Sequence, residues 1–194
     1  MIGKQKNKEK VAWGITGSGD RLFETITVMK QMKETYKNVV DIHVYLSKAG
    51  EQVTKWYRLY EPLKLSFDRV WIESGPNSPF LAGELELGKF EFLLIAPATS
   101  NTVAKLSAGI CDTLLCNSAI MALKAFVPVY VMPSDFKEGT LVTKLPNKKD
   151  LRLRIRKEDA ENARKLARMD GVFLLEKPEN IRQVFEKHFA VDQL

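Results

Sequence analysis

Short apolar runs alternate with stretches of helical periodicity along most of the chain. That alternation predicts a parallel sheet covered by helices on both faces. Residues 11–16 (VAWGIT) read as a buried strand running into Gly17-Ser18-Gly19. Over residues 20–36, Leu22, Ile26, Met29 and Met32 recur at helical spacing, with Lys30, Lys33 and Glu34 between them, so an amphipathic helix is expected. Residues 41–46 (DIHVYL) predict a second strand ending at Ser47, with a helix over 49–59. A third, shorter strand is expected at 69–73, followed by a Ser/Gly/Pro/Asn-rich loop over 74–79. Residues 90–96 (FEFLLIA) are the most apolar strand and should be central. Pro97 is expected to break it, with a helix then running through Leu106. A helix over 112–124 and a strand over 128–132 (PVYVM) follow.

The last quarter differs. Residues 151–156 alternate Leu, Leu and Ile with Arg152, Arg154 and Arg156, which predicts a strand with one packed face and arginines pointing outward. A helix over 157–169, a strand over 172–175 and a helix over 178–189 close the chain. At 194 residues one domain is expected: a basic tail over 1–10, a core over 11–136, and an extension over 137–194 packed on it.

Composition narrows the class. With 45% hydrophobic and 28% charged residues a real core is expected, and no apolar run reaches the ~20 residues of a membrane span. The first ten residues are lysine-rich and lack the apolar segment of a secretory signal. The two cysteines, Cys111 and Cys116, have no second pair to complete a four-thiolate site. They read as reduced core thiols in a reducing, cytoplasmic setting, and no metal site is expected. His43, inside a strand, reads as a packed or edge residue, and His188 as a surface residue. The net charge of +6 points to an anionic partner, or simply to a solubilising excess of lysine. No nucleic-acid signature accompanies it, so no nucleic acid is expected.

In a parallel α/β sheet, ligands bind beyond the carboxyl ends of the strands. Three such ends carry small polar residues: Gly14-Ile15-Thr16-Gly17-Ser18-Gly19, then Ser47, then Pro97-Ala98-Thr99-Ser100-Asn101-Thr102. Glycines admit a ligand close to the backbone, and helix-start amides favour an anion. Taken singly, the first is also an ordinary tight turn and the last an ordinary N-cap; their joint occurrence points to a ligand. The glycine spacing is GxxGxG, neither the dinucleotide fingerprint nor a Walker loop. The second strand ends in Ser47-Lys48, without the usual ribose-binding carboxylate. A mononucleotide such as FMN is therefore favoured over NAD.

These motifs resemble a known family. Gly14-Ile15-Thr16-Gly17-Ser18, Ser47, the run Ala96-Pro97-Ala98-Thr99-Ser100-Asn101-Thr102-Val103-Ala104-Lys105-Leu106, and Gly109-Ile110-Cys111-Asp112-Thr113-Leu114-Leu115 are similar to the homo-oligomeric flavin-containing cysteine decarboxylase superfamily. The resemblance covers roughly residues 11–136. It implies a Rossmann-like three-layer α/β sandwich with a mainly parallel sheet, non-covalent FMN, and a homo-oligomer with the flavin near a subunit interface. Gly17, Ser18 and Gly19 match the family's first FMN-binding turn, and Ser47 its phosphate-binding serine. Ala98, Thr99, Ser100, Asn101 and Thr102 match its second flavin-contacting segment, and Ser134 a late flavin or substrate contact.

Two departures matter. Pro133-Ser134-Asp135-Phe136 stands where the decarboxylases have Pro-Ala-Met-Asn and the flavin prenyltransferases an arginine. Leu81-Ala82-Gly83-Glu84-Leu85 lacks the decarboxylases' histidine. Neither activity is therefore the leading expectation, and no catalytic residue is assigned. The runs from Arg154 to Asn162, Met169-Asp170-Gly171 and Lys177-Pro178-Glu179-Asn180 resemble archaeoflavoproteins of the A type and flavin-dependent dihydromethanopterin reductases. This implies an FMN-dependent redox protein taking electrons from a ferredoxin or another acidic iron–sulfur protein, or alternatively a reductase of a small molecule such as dihydromethanopterin. Lys48, Lys105, Arg152, Arg154 and Arg156 are candidates for a positive field near the flavin or for docking the donor. A solvated edge strand explains the arginine row equally. Trp56, Tyr57, Trp71 and the loop 75–79 are candidates for covering a pocket.

Overall fold

The computed structural model describes residues 8–189. Most of the basic tail, residues 1–7, lies outside the described residues, as do residues 190–194. In chain order the elements are β1 (Glu9–Ile15), α1 (Leu22–Thr35), β2 (Val40–Leu46), α2 (Lys48–Trp56), α3 (Tyr60–Ser66), β3 (Arg69–Ile72), α4 (Leu81–Glu86) and β4 (Phe92–Ala98). They continue with α5 (Ser100–Ala108), α6 (Leu114–Lys124), β5 (Val129–Pro133), β6 (Gly139–Lys144), β7 (Asp150–Ile155), α7 (Lys157–Leu166), β8 (Val172–Leu174) and α8 (Asn180–Phe189).

Six strands form one parallel sheet in the order β3-β2-β1-β4-β5-β8. Alternate side chains of each strand leave on opposite faces, and both faces are dry. Val11, Trp13 and Ile15 join a core with Leu22, Met29, Leu63 and Phe185 from α1, α3 and α8. Ala12, Leu93 and Ile95 join a second core with Leu85, Val103, Leu115 and Leu166 from α4 to α7. This is the expected three-layer, Rossmann-like arrangement, and it explains why the central strands read as continuous apolar runs. β8 lies at one edge of the same sheet, and α7 packs on α5.

Several local expectations are corrected. Pro97 does not end the central strand: β4 runs on to Ala98 through a cis Ala96–Pro97 bond, and the pairing with β5 shifts register there. The break in register leaves room for a residue that cannot donate to the ladder. Helix α1 starts at Leu22 rather than Asp20, because Arg21 is in the left-handed region (φ 53°). Three short elements have no local signal: α3 buries little beyond Leu63, α4 is six residues long, and β6 is defined only by its partner β7. Arg152 and Arg154 lie on β7, in that separate antiparallel hairpin, whereas Arg156 stands just past it at the start of α7.

His188 is half-buried rather than free on the surface. Its ring packs 4.8 Å from that of Phe92, and its Nε2 is 2.9 Å from the Tyr130 hydroxyl. His43 is buried against Phe90, with Nε2 3.0 Å from the Asp41 carboxylate. Burial holds both imidazoles below their ordinary pKa; Lys187 adds to this at His188, whereas Asp41 opposes it at His43. A depressed folded-state pKa means the unfolded chain takes up protons first as pH falls. The stability these neutral rings support is therefore complete above the unfolded value of about 6.5 and lost as pH drops through the folded values. Melting temperature should fall between pH 7.5 and 5. In calorimetry H188Q should flatten part of that slope, each unit of depression being worth about 1.4 kcal/mol.

Candidate functional site

Sheet order places the site. From β1 the chain crosses to β2 on one side, while β4 leads to β5 on the other. The connections leaving the ends of these neighbours diverge, and a crevice opens between them. The turn 17–19 after β1 and the segment 99–102 after β4 form its two lips. Thr16 joins them: its Oγ1 donates to the Pro97 carbonyl (2.8 Å) and accepts from the Thr99 N–H (2.8 Å).

The backbone amides show what the crevice is built to hold. Every buried N–H needs an acceptor, and the first turns of helices lack internal ones. Ser47 caps α2 by accepting from the Gly50 N–H, and Thr99 caps α5 by accepting from the Thr102 N–H. The N–H groups of Gly17, Ser18, Gly19, Ala49, Ser100 and Asn101 make no hydrogen bond among the described residues. They come from one tight turn and two helix starts around the same crevice, with the positive ends of the α2 and α5 dipoles added. The Ser47 hydroxyl accepts at its cap and keeps a proton to donate, while the Thr99 hydroxyl also lies 3.1 Å from that of Thr102. This donor set suits an oxyanion such as a phosphate.

Two cavities occupy the crevice. The first, about 450 Å³, lies between Thr16-Gly17, Ser47-Lys48-Ala49 and Thr99, with Asn101, Thr102 and the Thr113 cap of α6 on its rim. The second, about 290 Å³, shares Gly17 and Thr99 with it and continues past Ser18 and Gly19 to Ser100, Ser134 and Asp135. Its outer wall is the inner face of the β6–β7 hairpin: Leu141, Thr143, Leu151 and Leu153. The first part of the groove thus holds the free amides of Gly17, Ala49 and Asn101 with the Ser47 hydroxyl, and the second holds those of Ser18, Gly19 and Ser100 and is also faced by leucines.

Of the predicted residues, Gly17, Ser18, Gly19, Ser47, Thr99, Ser100, Asn101, Thr102 and Ser134 all line this groove. The Ser134 hydroxyl donates to Ser18 Oγ (2.6 Å) and ties the end of β5 to the turn after β1. Ala98 is different. It is fully buried in β4 and lines neither cavity; its carbonyl accepts from the Ser134 N–H (2.9 Å). The glycines are needed for packing as well as for access. A Cβ on Gly17 would lie 2.6 Å from Ala49 Cβ, and one on Gly19 would overlap the Tyr57 ring. Among the aromatic candidates only Tyr57 reaches the groove, where its hydroxyl donates to the Lys144 carbonyl (2.8 Å) and tethers the hairpin. Trp56 and Trp71 are exposed and line neither groove cavity, nor does the loop 75–79.

The charges divide. Lys48 lines the first cavity, but Lys105 is paired to Asp112 (2.8 Å). Arg156 is held by Asp159, whereas Arg152 and Arg154 form no ion pair among the described residues. At the leucine end Ser100 donates to Asp135. Burial raises the pKa of nearby Asp20, opposed by Arg21 and Thr143 and reinforced by Glu24 and Asp135.

One residue escaped the sequence reading. Glu73 follows β3 and is buried, and its carboxylate accepts from the N–H of Lys48 (3.2 Å) and of Leu114 (2.9 Å). It clamps the first turns of α2 and α6 together at the groove floor. The available signal was a lone carboxylate ending a strand level with Ser47, since Leu46 pairs with Ile72.

The comparisons fit this geometry. A family model described as Flavoprotein matches residues 2–182. The chain is 48% identical over 182 residues to an uncharacterized protein of Methanocaldococcus jannaschii, covering 94% of this chain and 97% of that one. It is 31% identical over 235 residues to a dihydromethanopterin reductase (acceptor) of the same organism, covering 91% of this chain and 95% of the reductase. Among solved structures it matches DmrB of Burkholderia xenovorans in complex with FMN, described as a cubic protein cage for redox transfer. That match has a TM-score of 0.80 and 31% identity, and covers 97% of this chain and 99% of the other. Among the described residues, no helix is long and apolar enough to cross a membrane, and no group of His, Cys, Asp and Glu is arranged to hold a metal.

Proposed function

We propose, from the premise that this chain belongs to the flavoprotein family, that the groove binds FMN and that the protein is a flavin-dependent reductase. The supporting observation is the convergence of unpartnered amides from three backbone segments on one groove, part of which is also faced by leucines. The phosphate is assigned to the first cavity, with the amides of Gly17, Ala49 and Asn101 and the Ser47 hydroxyl. The flat ring is assigned to the end bounded by Ser100, Ser134 and the hairpin. When bound, FMN supplies one- and two-electron chemistry; the protein positions it and sets its electrostatics. The hairpin limits water at the ring, and Lys48 favours the anionic phosphate.

The relative named dihydromethanopterin reductase favours a dihydropterin as the electron acceptor. A ferredoxin or another acidic iron–sulfur protein is the proposed donor, docking by charge on Arg152 and Arg154 of the hairpin. The relative described as a protein cage supports a homo-oligomer, in which the proposal sets the flavin near a subunit interface, and the two free cysteines suit a reducing cytoplasm.

The test is a titration of the flavin-free protein with FMN, followed by anaerobic reduction. Saturable binding is expected, with bleaching of the flavin band by reduced ferredoxin that slows steeply as salt rises, and recovery of the band on adding dihydromethanopterin. Absence of FMN binding would remove the whole reading. Bleaching without recovery would leave an electron carrier in place of a pterin reductase.

A further inference from the structure

A third cavity, of about 440 Å³, lies beyond the ring end of the groove, between the start of α1 and the β6–β7 hairpin. It shares Gly19, Asp20, Tyr57, Leu141 and Thr143 with the second groove cavity, so a molecule held there abuts whatever fills the groove. The flavin reading makes no use of it. Phe23 stands on its wall with 63% of its surface exposed, an apolar ring on the first turn of a helix with nothing packed over it.

Asp20 is the polar counterpart. Its side chain is only 12% exposed, and its protein partners are the Thr143 side chain and a distant Arg21. The neighbouring Arg21 approaches no closer than 3.7 Å through Nε and sends its terminal nitrogen to the Glu176 carbonyl. No two-pronged arginine–carboxylate pair forms. Burial disfavours the ionised carboxylate, so a ligand bringing two parallel N–H donors would relieve that cost. Glu24 lines the same wall, and Lys148 stands at the hairpin tip.

We propose that this cavity is the acceptor site and takes a 2-amino-4-oxopteridine, its ring against Phe23 and Tyr57 and its N3–H and 2-amino group donating to Asp20. The proposal rests on the reductase reading above and adds to it the place and the recognising group. A carboxylate matches a donor–donor edge. It repels the 2,4-dioxo edge of lumazine, which sets a carbonyl oxygen where pterin has its amine. Leaving a buried polar group unmatched is what makes such discrimination large.

The experiment is a fluorescence titration of the FMN-loaded protein with pterin and, separately, with lumazine. The wild type should bind pterin at least tenfold more tightly. In Asp20→Asn the ratio should fall at least tenfold, because an amide offers one acceptor and one donor and so suits lumazine. A ratio is insensitive to a general loss of folded protein. Phe23→Ala, at an exposed position, should weaken both ligands about tenfold without changing the ratio. Equal binding of pterin and lumazine by the wild type, or an unchanged ratio in Asp20→Asn, overturns the proposal, as does full affinity in Phe23→Ala. An FMN titration of the same preparations separates the two levels: intact FMN binding with no pterin preference defeats the acceptor site alone, whereas absent FMN binding defeats the flavin reading beneath it.

Discussion

Replacing Glu73 by alanine is expected to lower stability by about 3 kcal/mol or more and to weaken FMN binding at least tenfold. The carboxylate is buried and accepts two backbone N–H groups from different helices. Hydrogen bonds to a charged group are each worth roughly 1.5–3 kcal/mol, and orphaned buried donors keep their desolvation cost. Without the clamp, Lys48 and Leu114 lose their acceptor, and the first turn of α2, which bears Ala49 and follows Ser47, is no longer fixed to α6. Glu73→Gln keeps one good acceptor and should fall between the two, near 1–2 kcal/mol. Urea unfolding followed by FMN titration of the folded fraction measures both effects. Wild-type affinity in Glu73→Ala would show that the clamp serves only the fold.

Gly50→Ala is expected to be comparably damaging for a steric reason. A Cβ at Gly50 would stand 2.3 Å from the Ile15 carbonyl oxygen and 3.2 Å from the Ser47 hydroxyl. The first of these is backbone at the end of a central strand and cannot swing aside. Helix α2 must therefore lift from the sheet, breaking the Gly50-to-Ser47 cap (2.9 Å) and moving Ala49 away from Gly17. Overpacking of this kind costs about 1–3 kcal/mol, and loss of a cap adds about 1. The same urea series should show the loss, and FMN affinity should drop at least tenfold because two of the proposed phosphate donors sit on the displaced turn. A variant with unchanged stability would mean that the approach of helix and strand relaxes freely.

Much of the site was legible in the chain because its residues are local to strand ends. Gly17, Ser18 and Gly19 follow an apolar run, Ser47 follows a second and Thr99 to Thr102 a third, and each placement needs only periodicity and turn chemistry. Ala98 shows the limit of that reading. Placing the strand's end at Pro97 put Ala98 among the accessible residues, whereas the register shift beside β5 carries the strand one residue further and buries it. His188 marks the same limit, since polarity and position in a terminal helix do not reveal that Phe92 and Tyr130 lie on the sheet face against which its ring packs.

The sequence by itself determined the alternation of strand and helix, the dry central strands, and the three small-residue turns. Each is set by side-chain spacing over a few neighbours. Only the tertiary structure decided that β1 and β4 lie side by side, which makes two of those turns the lips of one crevice. It alone brought Glu73 beneath two helix starts and folded 139–155 into a hairpin facing the groove with leucines. The Glu73 clamp and the Tyr57 tether that holds the hairpin over the groove join residues 25 to 87 positions apart. The energy of such pairings comes from burial and from satisfying backbone groups across the fold, and no local pattern of residues encodes it.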